Sequence, residues 1–330
     1  MAKMIRRRTA IATAIAAGAL AAPMQGWAKG SYPNRANRIV VPFAAGGTAD
    51  CLGRVVAQIL TDSMSSTFVV ENWPGAGGNL GAEIVAKARP DGQTLLLGTV
   101  GTAVTNQYLY KNISYDCEWS FAPVALVAEV TNVVVVHPIF PASTLEEFVE
   151  YCKRRGPDQV SYGSPGIGAT GHLAMEYLKS QADIKLRHVA YGSRSRMTKD
   201  LLASNILVAM DNLPGYLRHV QSGAVRALGV SSAKRWFAAP DVPSIAERGY
   251  PDFEASLWWY IAAPAGTRLE LVKKLSDEIV KGIKSETAIR KIRESGASER
   301  PGNTQDLAQH ITAERIKWKK VIEAAKLEPQ

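Results

Sequence analysis

The chain is poor in cysteine, and beyond its N-terminal segment it contains no long apolar run. Only three of its 330 residues are cysteines, and the spacings of Cys51, Cys117 and Cys152 match no zinc site. An oxidising compartment would permit one disulfide at most, but we expect three structural thiols. No later segment reaches the roughly 18 apolar residues of a membrane-spanning helix. The sequence therefore predicts a soluble mature chain without a metal site.

Blocks of lysine and arginine with interleaved aromatic residues are also absent, which argues against nucleic acid as a partner. The formal net charge is +9, and four of the positive charges fall in residues 1–28. The rest of the chain has 35 Lys and Arg against 30 Asp and Glu. This modest excess favours small anionic ligands only weakly.

Residues 1–28 have the order of a secretory signal peptide. Lys3 and Arg6–Arg8 form a positive start, an apolar stretch follows from Thr9 to Ala22, and Gly26 and Ala28 are small residues at the cleavage positions. The alternatives are a twin-arginine signal or a short uncleaved anchor. We predict that residues 1–28 are removed and that the mature chain works in the periplasm.

Short apolar runs alternate with helical patterns along the rest of the chain. Most runs are continuously apolar, as strands buried on both faces require. This pattern predicts an α/β fold with mainly parallel sheets. The predicted strands are Arg38–Phe43, Thr67–Asn72, Thr94–Thr99, Pro123–Ala128, Val133–Pro138, Gln159–Ser164, Leu186–Tyr191, Ile206–Asn212, Val225–Val230 and Leu257–Pro264.

A strand, a glycine-rich turn and a helix occur in the same order at residues 38–64 and 159–180. This repetition predicts two lobes, with a crossing strand pair near 123–138 and a return strand at 257–264. We place the first lobe at residues 29–137 plus 252–330, the second at 138–251, and a ligand cleft between them.

The first glycine-rich turn can bind an anion. Gly46 and Gly47 let the backbone approach a ligand, Thr48 can cap the following helix, and the amides of the first helical turn then face the cleft. Asp50 either favours the helix dipole or meets a ligand amine or hydroxyl.

The second turn fits a dinucleotide fingerprint at Gly166, Gly168 and Gly171. That fingerprint needs a carboxylate at the end of the next strand, which instead ends at Tyr191. We therefore expect no nucleotide cofactor, but the anion-binding helix start remains. A third glycine-rich segment, 74–81, lacks the Gly-Lys-Ser/Thr ending of a P-loop.

No catalytic group can be assembled from the sequence. The five histidines are scattered, and Ser164 lies outside a Gly-x-Ser-x-Gly elbow. His172, in the first turn of its helix, is more typical of a loop-stabilising or ligand-contacting residue than of a base. We predict that the chain is not an enzyme.

An ordered series of motifs resembles the Bug receptors, the TctC-like solute-binding proteins of tripartite tricarboxylate transporters. The similarity extends from Tyr32 to about Trp318. The motifs are Tyr32-Pro33, Ile39–Asp50, Asn72–Asn79, Pro90–Gly92, Ser164–Gly168 with Gly171-His172, Asp211–Pro214, Asp241–Glu247 and Ala263–Thr267.

The resemblance implies a type II periplasmic binding protein, with two Rossmann-like lobes on a two-strand hinge. It implies a monomer that binds a dicarboxylate, tricarboxylate, acidic amino acid or aromatic acid and delivers it to integral membrane transporter subunits. A sensor protein as the partner, and an α/β enzyme with a nucleotide cofactor, are the alternatives. The implied ligand-binding residues are Phe43, Ala45, Gly46, Gly47, Thr48, Asp50, Asn79, Thr99, Ser164, Gly166, Ile167, Gly168, Thr170, His172, Tyr191 and Asp211.

The sequence departs from the family where Tyr191 is usually followed by Lys and Gly. Here Gly192 and Ser193 follow, and Arg194 or Arg196 is expected to supply the missing charge. Trp258 and Trp259 are bulkier than usual, and a cleft-facing tryptophan would favour an aromatic acid.

Overall fold

The computed structural model describes residues 37–157 and 159–330, and the predicted signal peptide lies outside them. Within the described residues the chain forms two β-sheets covered by helices. The strands are β1 (Asn37–Val41), β2 (Phe68–Asn72), β3 (Thr94–Thr99), β4 (Phe121–Val130), β5 (Asn132–Val136), β6 (Ser161–Ser164), β7 (Arg187–Ala190), β8 (Val208–Asn212), β9 (Arg226–Val230), β10 (Leu257–Pro264) and β11 (Ser298–Gly302).

The helices connect and cover these strands. They are α1 (Thr48–Met64), α2 (Asn79–Ala86), α3 (Asn106–Leu109), α4 (Leu145–Arg155), α5 (Thr170–Ala182), α6 (Arg194–Leu202), α7 (Leu217–Gln221), α8 (Leu269–Ile283), α9 (Glu286–Glu294) and α10 (Thr304–Ala324). Within the described ranges, none of them is both long and apolar enough to cross a membrane.

Each sheet is mixed, whereas the sequence predicted mainly parallel pairing. The first sheet has the order β11-β4-β10-β3-β1-β2, and the second has the order β7-β6-β8-β5-β9. β1 runs parallel to β2 and β3, and β6 runs parallel to β7 and β8. The remaining pairs involve β4, β5 and β10 and are antiparallel. A continuous apolar run reports burial on both faces but not strand direction, so the sequence did not reveal this mixture.

The chain crosses between the sheets at Thr131. β4 ends in the first sheet at Val130, and β5 begins in the second sheet at Asn132. The predicted boundary at residue 137 assigned β5 to the first lobe, but β5 pairs with β8 and β9. We call the part built on the six-stranded sheet the first lobe and the part built on the five-stranded sheet the second lobe.

The apolar faces of α1 and α8 are largely buried. On α1, Leu52, Val56 and Leu60 have no exposed surface, although Ile59 is half-buried. α8 buries Val272, Leu275, Ile279 and Ile283 against the same layer as α1. This packing fixes the start of α1 at the carboxyl edge of the first sheet.

Candidate ligand-binding cleft

The two predicted turns meet at one cavity of about 530 Å³ between the lobes. Gly47 and Thr48 line it from the first lobe, and Gly166, Ile167 and Gly168 line it from the second. Both turns follow a strand at the carboxyl edge of its sheet, where α/β folds commonly bind ligands.

The first turn presents unpaired backbone amides. α1 starts at Thr48, and the amides of Gly47, Thr48 and Ala49 make no hydrogen bond to another described residue. The free amides at the start of a 17-residue helix carry a partial positive charge, which suits a carboxylate.

Thr48 does not cap α1, contrary to the sequence prediction. Gly47 occupies the N-cap position without a side-chain bond, and the Thr48 hydroxyl donates to the Ser295 carbonyl at 3.1 Å. Asp50 is buried and accepts from the Gly46 amide at 3.1 Å and from Arg54 Nε at 3.0 Å. The Gly46 amide is therefore already hydrogen-bonded to the Asp50 carboxylate and is not available to a ligand. These hydrogen bonds outweigh the desolvation that opposes them, and they lower the pKa of Asp50.

The second turn has a similar arrangement. α5 starts at Thr170, and the amides of Ile167 and Thr170 have no partner within the described part of the chain. The Gly168 amide instead donates to Nδ1 of His172 at 3.1 Å, and the Thr170 hydroxyl donates to Asn132 Oδ1 at 3.1 Å. These bonds fix the loop in place and leave the amides of Ile167 and Thr170 unpaired.

A buried pair of histidines supports this loop from behind. The rings of His172 and His188 stack with centroids 3.8 Å apart, and His188 Nε2 lies 2.7 Å from the Ser164 hydroxyl. Burial lowers the pKa of His172 to about 4, and burial with the neighbouring His172 lowers that of His188 to about 3. Both rings are therefore neutral at pH 7, and a neutral Nδ1 can accept the Gly168 bond.

Of the sixteen predicted site residues, eight line the cavity: Phe43, Gly47, Thr48, Thr99, Gly166, Ile167, Gly168 and Thr170. The other eight lie outside its wall: Ala45, Gly46, Asp50, Asn79, Ser164, His172, Tyr191 and Asp211. Asn79 accepts from Asn106 and Tyr115, and Tyr191 packs beside the core of the second lobe. Most of this second group therefore supports the wall from behind.

The apolar wall of the cavity was largely missed by sequence reasoning. Trp259 lines it together with Leu257, Leu109 and Tyr110, whereas Trp258 is buried and donates to Glu314. Alternation along β10 could have indicated that the two tryptophans face opposite sides of the sheet. No local signal marks Leu109, which lies on the short helix α3.

The two lobes touch across the cavity. A side-chain carbon at Gly168 would lie 2.7 Å from Leu109, and one at Gly296 would lie 2.8 Å from Pro214. The Arg293 guanidinium of the first lobe lies 5.2 Å from the ring centre of Phe237 in the second. These contacts describe a closed arrangement.

Other functional chemistry is sparse in the described ranges. No group of three or more His, Cys, Asp or Glu side chains there could hold a metal ion. Cys51, Cys117 and Cys152 are free thiols, the last two buried.

Comparison with known proteins identifies the family. A family model described as the tripartite tricarboxylate transporter family receptor, TctC, matches residues 52–327. The chain belongs to the TctC family. BugT of Bordetella pertussis is 31% identical over 97% of both chains. The solved structure of R. palustris Rpa4515 with adipate is 35% identical, covers 91% of this chain and 100% of its own, and has a TM-score of 0.75. The structure of MatC from Rhodopseudomonas palustris with bound malate is 28% identical, covers 88% of this chain and 100% of its own, and has a TM-score of 0.71.

The TctC relationship confirms the predicted receptor family and the type II two-lobe fold. The family and fold are those of periplasmic solute-binding receptors, and two of the similar structures hold small carboxylates.

Proposed function

We propose that this chain is a periplasmic receptor that captures a small organic acid and delivers it to the membrane subunits of a tripartite tricarboxylate-type transporter. The proposal rests on one observation: residues with unpaired amides at the starts of α1 and α5 line one and the same cavity. Adipate and malate in similar TctC-type structures support a carboxylate as the ligand. The proposal includes export with removal of residues 1–28 as a signal peptide, and it includes function as a monomer.

The Ser164–His188 contact does not favour a hydrolase. Ser164 has no exposed surface and does not line the cavity. Its hydroxyl also lies 3.0 Å from the Gly166 carbonyl, and the depressed pKa of His188 makes it a poor base. The contact stabilises the loop, which agrees with the proposal of a receptor without catalysis.

The test is a thermal-shift panel of dicarboxylates, tricarboxylates, acidic amino acids and aromatic acids. At about 100 times its dissociation constant, a ligand adds roughly 2.7 kcal/mol of stability. A gain of that size raises the melting temperature of a chain of this length by several degrees. If no acid in the panel moves the melting temperature, the receptor proposal is wrong.

Thr48→Pro tests the role of the amides directly. Proline is tolerated at the first position of a helix, and the extended Gly47 suits a following proline. The substitution removes one amide donor, so we expect affinity to fall about 10- to 100-fold, as for a lost hydrogen bond to a charged group. Thr48→Val is the matched control, because it loses the hydroxyl but keeps the amide. Equal affinities of the two variants in isothermal titration calorimetry would argue against amide-based capture.

A further inference from the structure

Arg194 is the one charged side chain among the described residues that line the cavity. It starts α6 beside the carboxyl edge of the second sheet, and its side chain is 44% exposed. The other side chains of the wall are apolar or neutral and polar, so this guanidinium is the main distinguishing side chain of the cleft.

The guanidinium is held firmly from one side. Nε and Nη2 donate to the two carboxylate oxygens of Asp211, and Nη2 also lies 3.2 Å from Asn212 Oδ1. The arginine stem lies against Gly215, where a side-chain carbon would approach Cδ to 2.8 Å. Asp211 is buried behind the arginine and does not line the cavity. This two-point contact fixes the plane of the guanidinium.

The other side of the guanidinium is free to bind. Nη1 has no hydrogen-bond partner among the described residues, and it carries two N–H groups that can only donate. A ligand group bound there must accept hydrogen bonds. The hydrogen bond to Asp211 raises the pKa of Arg194, a side chain that is charged at any physiological pH. A carboxylate at Nη1 would lie nearer to the guanidinium than to Asp211, so attraction exceeds repulsion.

We propose that Arg194 binds a second carboxylate of the ligand, so that the site selects dicarboxylates with an apolar body over matched monocarboxylates. This proposal rests on the receptor function given above. One carboxylate is held by the helix amides, the apolar middle contacts Phe43, Leu257 and Trp259, and the distal carboxylate accepts from Arg194 Nη1.

The test compares diacids with monoacids of the same skeleton by isothermal titration calorimetry. The pairs are adipate with hexanoate and phthalate with benzoate, and adipic acid monoamide supplies an uncharged distal acceptor. We expect at least one diacid to bind about tenfold or more tightly than its monoacid, because the distal carboxylate gains a charge-assisted hydrogen bond. If that diacid is adipate, it should exceed the monoamide by the same factor. Equal binding of diacids and monoacids, or of adipate and its monoamide, overturns this inference but leaves the receptor function standing. If none of these acids binds although another acid of the thermal-shift panel does, this inference fails alone; if no acid of either set binds, both fail.

Variants assign the preference to Arg194. The double substitution Arg194→Gln with Asp211→Asn removes both charges without leaving a buried carboxylate unpaired, and it should abolish the diacid preference while monoacid affinity changes less than about threefold. Arg194→Lys keeps the charge but loses the two-point contact and should retain part of the preference. Arg196→Gln is the control, because Arg196 is exposed on the same helix and does not line the cavity. A preference that survives the double substitution, or disappears in Arg196→Gln, contradicts the proposal.

Discussion

At the scale of single residues, one backbone amide in each glycine-rich turn is hydrogen-bonded to a side chain. Asp50 accepts from Gly46 and His172 accepts from Gly168, four residues apart in both cases. The neighbouring amides of Thr48 and Thr170 stay unpaired. Each turn is thereby shaped before any ligand arrives, which reduces the entropy lost on binding.

The neutral state of His172 predicts a pH-dependent stability. Its pKa is about 4 in the folded chain, whereas an unfolded histidine titrates near 6.5. Below pH 6.5 the unfolded state therefore binds more protons, and the free energy of unfolding falls until about pH 4. The loss from this residue is about 2 kcal/mol at pH 5.

Urea unfolding at pH 7.5 and pH 5 measures this loss. His172→Gln keeps an acceptor for the Gly168 amide but does not titrate, so its stability should fall about 2 kcal/mol less than that of the original chain. His219→Gln on α7 is the control and should follow the original chain. Parallel pH curves for His172→Gln and the original chain would show that this histidine is not the source.

Sequence reasoning located the residues of the turns better than their partners. Gly47, Thr48, Gly166 and Gly168 follow from their positions between a strand and a helix, and all four line the cavity. The stacking of His172 on His188 joins residues on α5 and β7, and nothing local in the sequence signals that contact. The choice between Arg194 and Arg196 likewise needed the position of Asp211 in space.

At the scale of elements, α5 lies unusually close to the backbone of β8. A side-chain carbon at Gly171 would lie 2.1 Å from the Met210 carbonyl oxygen and 2.9 Å from the Asp211 Cα. Backbone atoms cannot move aside as a flexible side chain can. The glycine therefore sets the distance between the helix start and the strand that carries Asp211.

Gly171→Ala should destabilise the chain by about 2 kcal/mol or more, because overpacking against rigid atoms is costly. Gly166→Ala, in the same loop, has no atom within 4 Å of the added carbon and should leave the melting temperature unchanged. Calorimetric melting of both variants measures the difference. An unchanged melting temperature for Gly171→Ala would mean that α5 tolerates displacement from β8.

Which elements could be predicted depended on their composition. The ten predicted strands all occur, and most of them contain a continuous apolar run, although β6 and β7 do not. β11, with the sequence Ser-Glu-Arg-Pro-Gly, was missed, since it is a polar edge strand held by β4. Strand direction and order required the tertiary structure.

At the scale of the whole molecule, a contact outside the cavity wall joins the two lobes. Phe237 is 40% exposed, and Arg293 lies over its ring from the other lobe. An exposed cation–π contact contributes about 0.5–1 kcal/mol. Since apparent affinity depends on the closed population, this contact contributes to ligand binding without touching the ligand.

Phe237→Ala should weaken binding of the acid that gives the largest thermal shift by about two- to fivefold, because that free energy is lost only from the closed state. Titration calorimetry measures the affinity, and small-angle scattering of the ligand-free variant should show a larger radius of gyration. Leu269→Ala, at an exposed position on the first lobe, is the control. An unchanged affinity in Phe237→Ala would show that this contact does not stabilise the closed state.

The connection at Thr131 constrains how the molecule can open. The Asn132 amide donates to the Ser231 hydroxyl at 2.8 Å, the Asn132 side chain donates to the Ala255 carbonyl at 2.7 Å, and the Ser232 amide donates to the Thr131 hydroxyl at 2.9 Å. These hydrogen bonds join residues 131–132 to the segments at 231–232 and 255, so these segments move together. We therefore expect the two lobes to rotate about this pair of segments, so that the cleft opens widest on the side farthest from Thr131 and a ligand enters and leaves there.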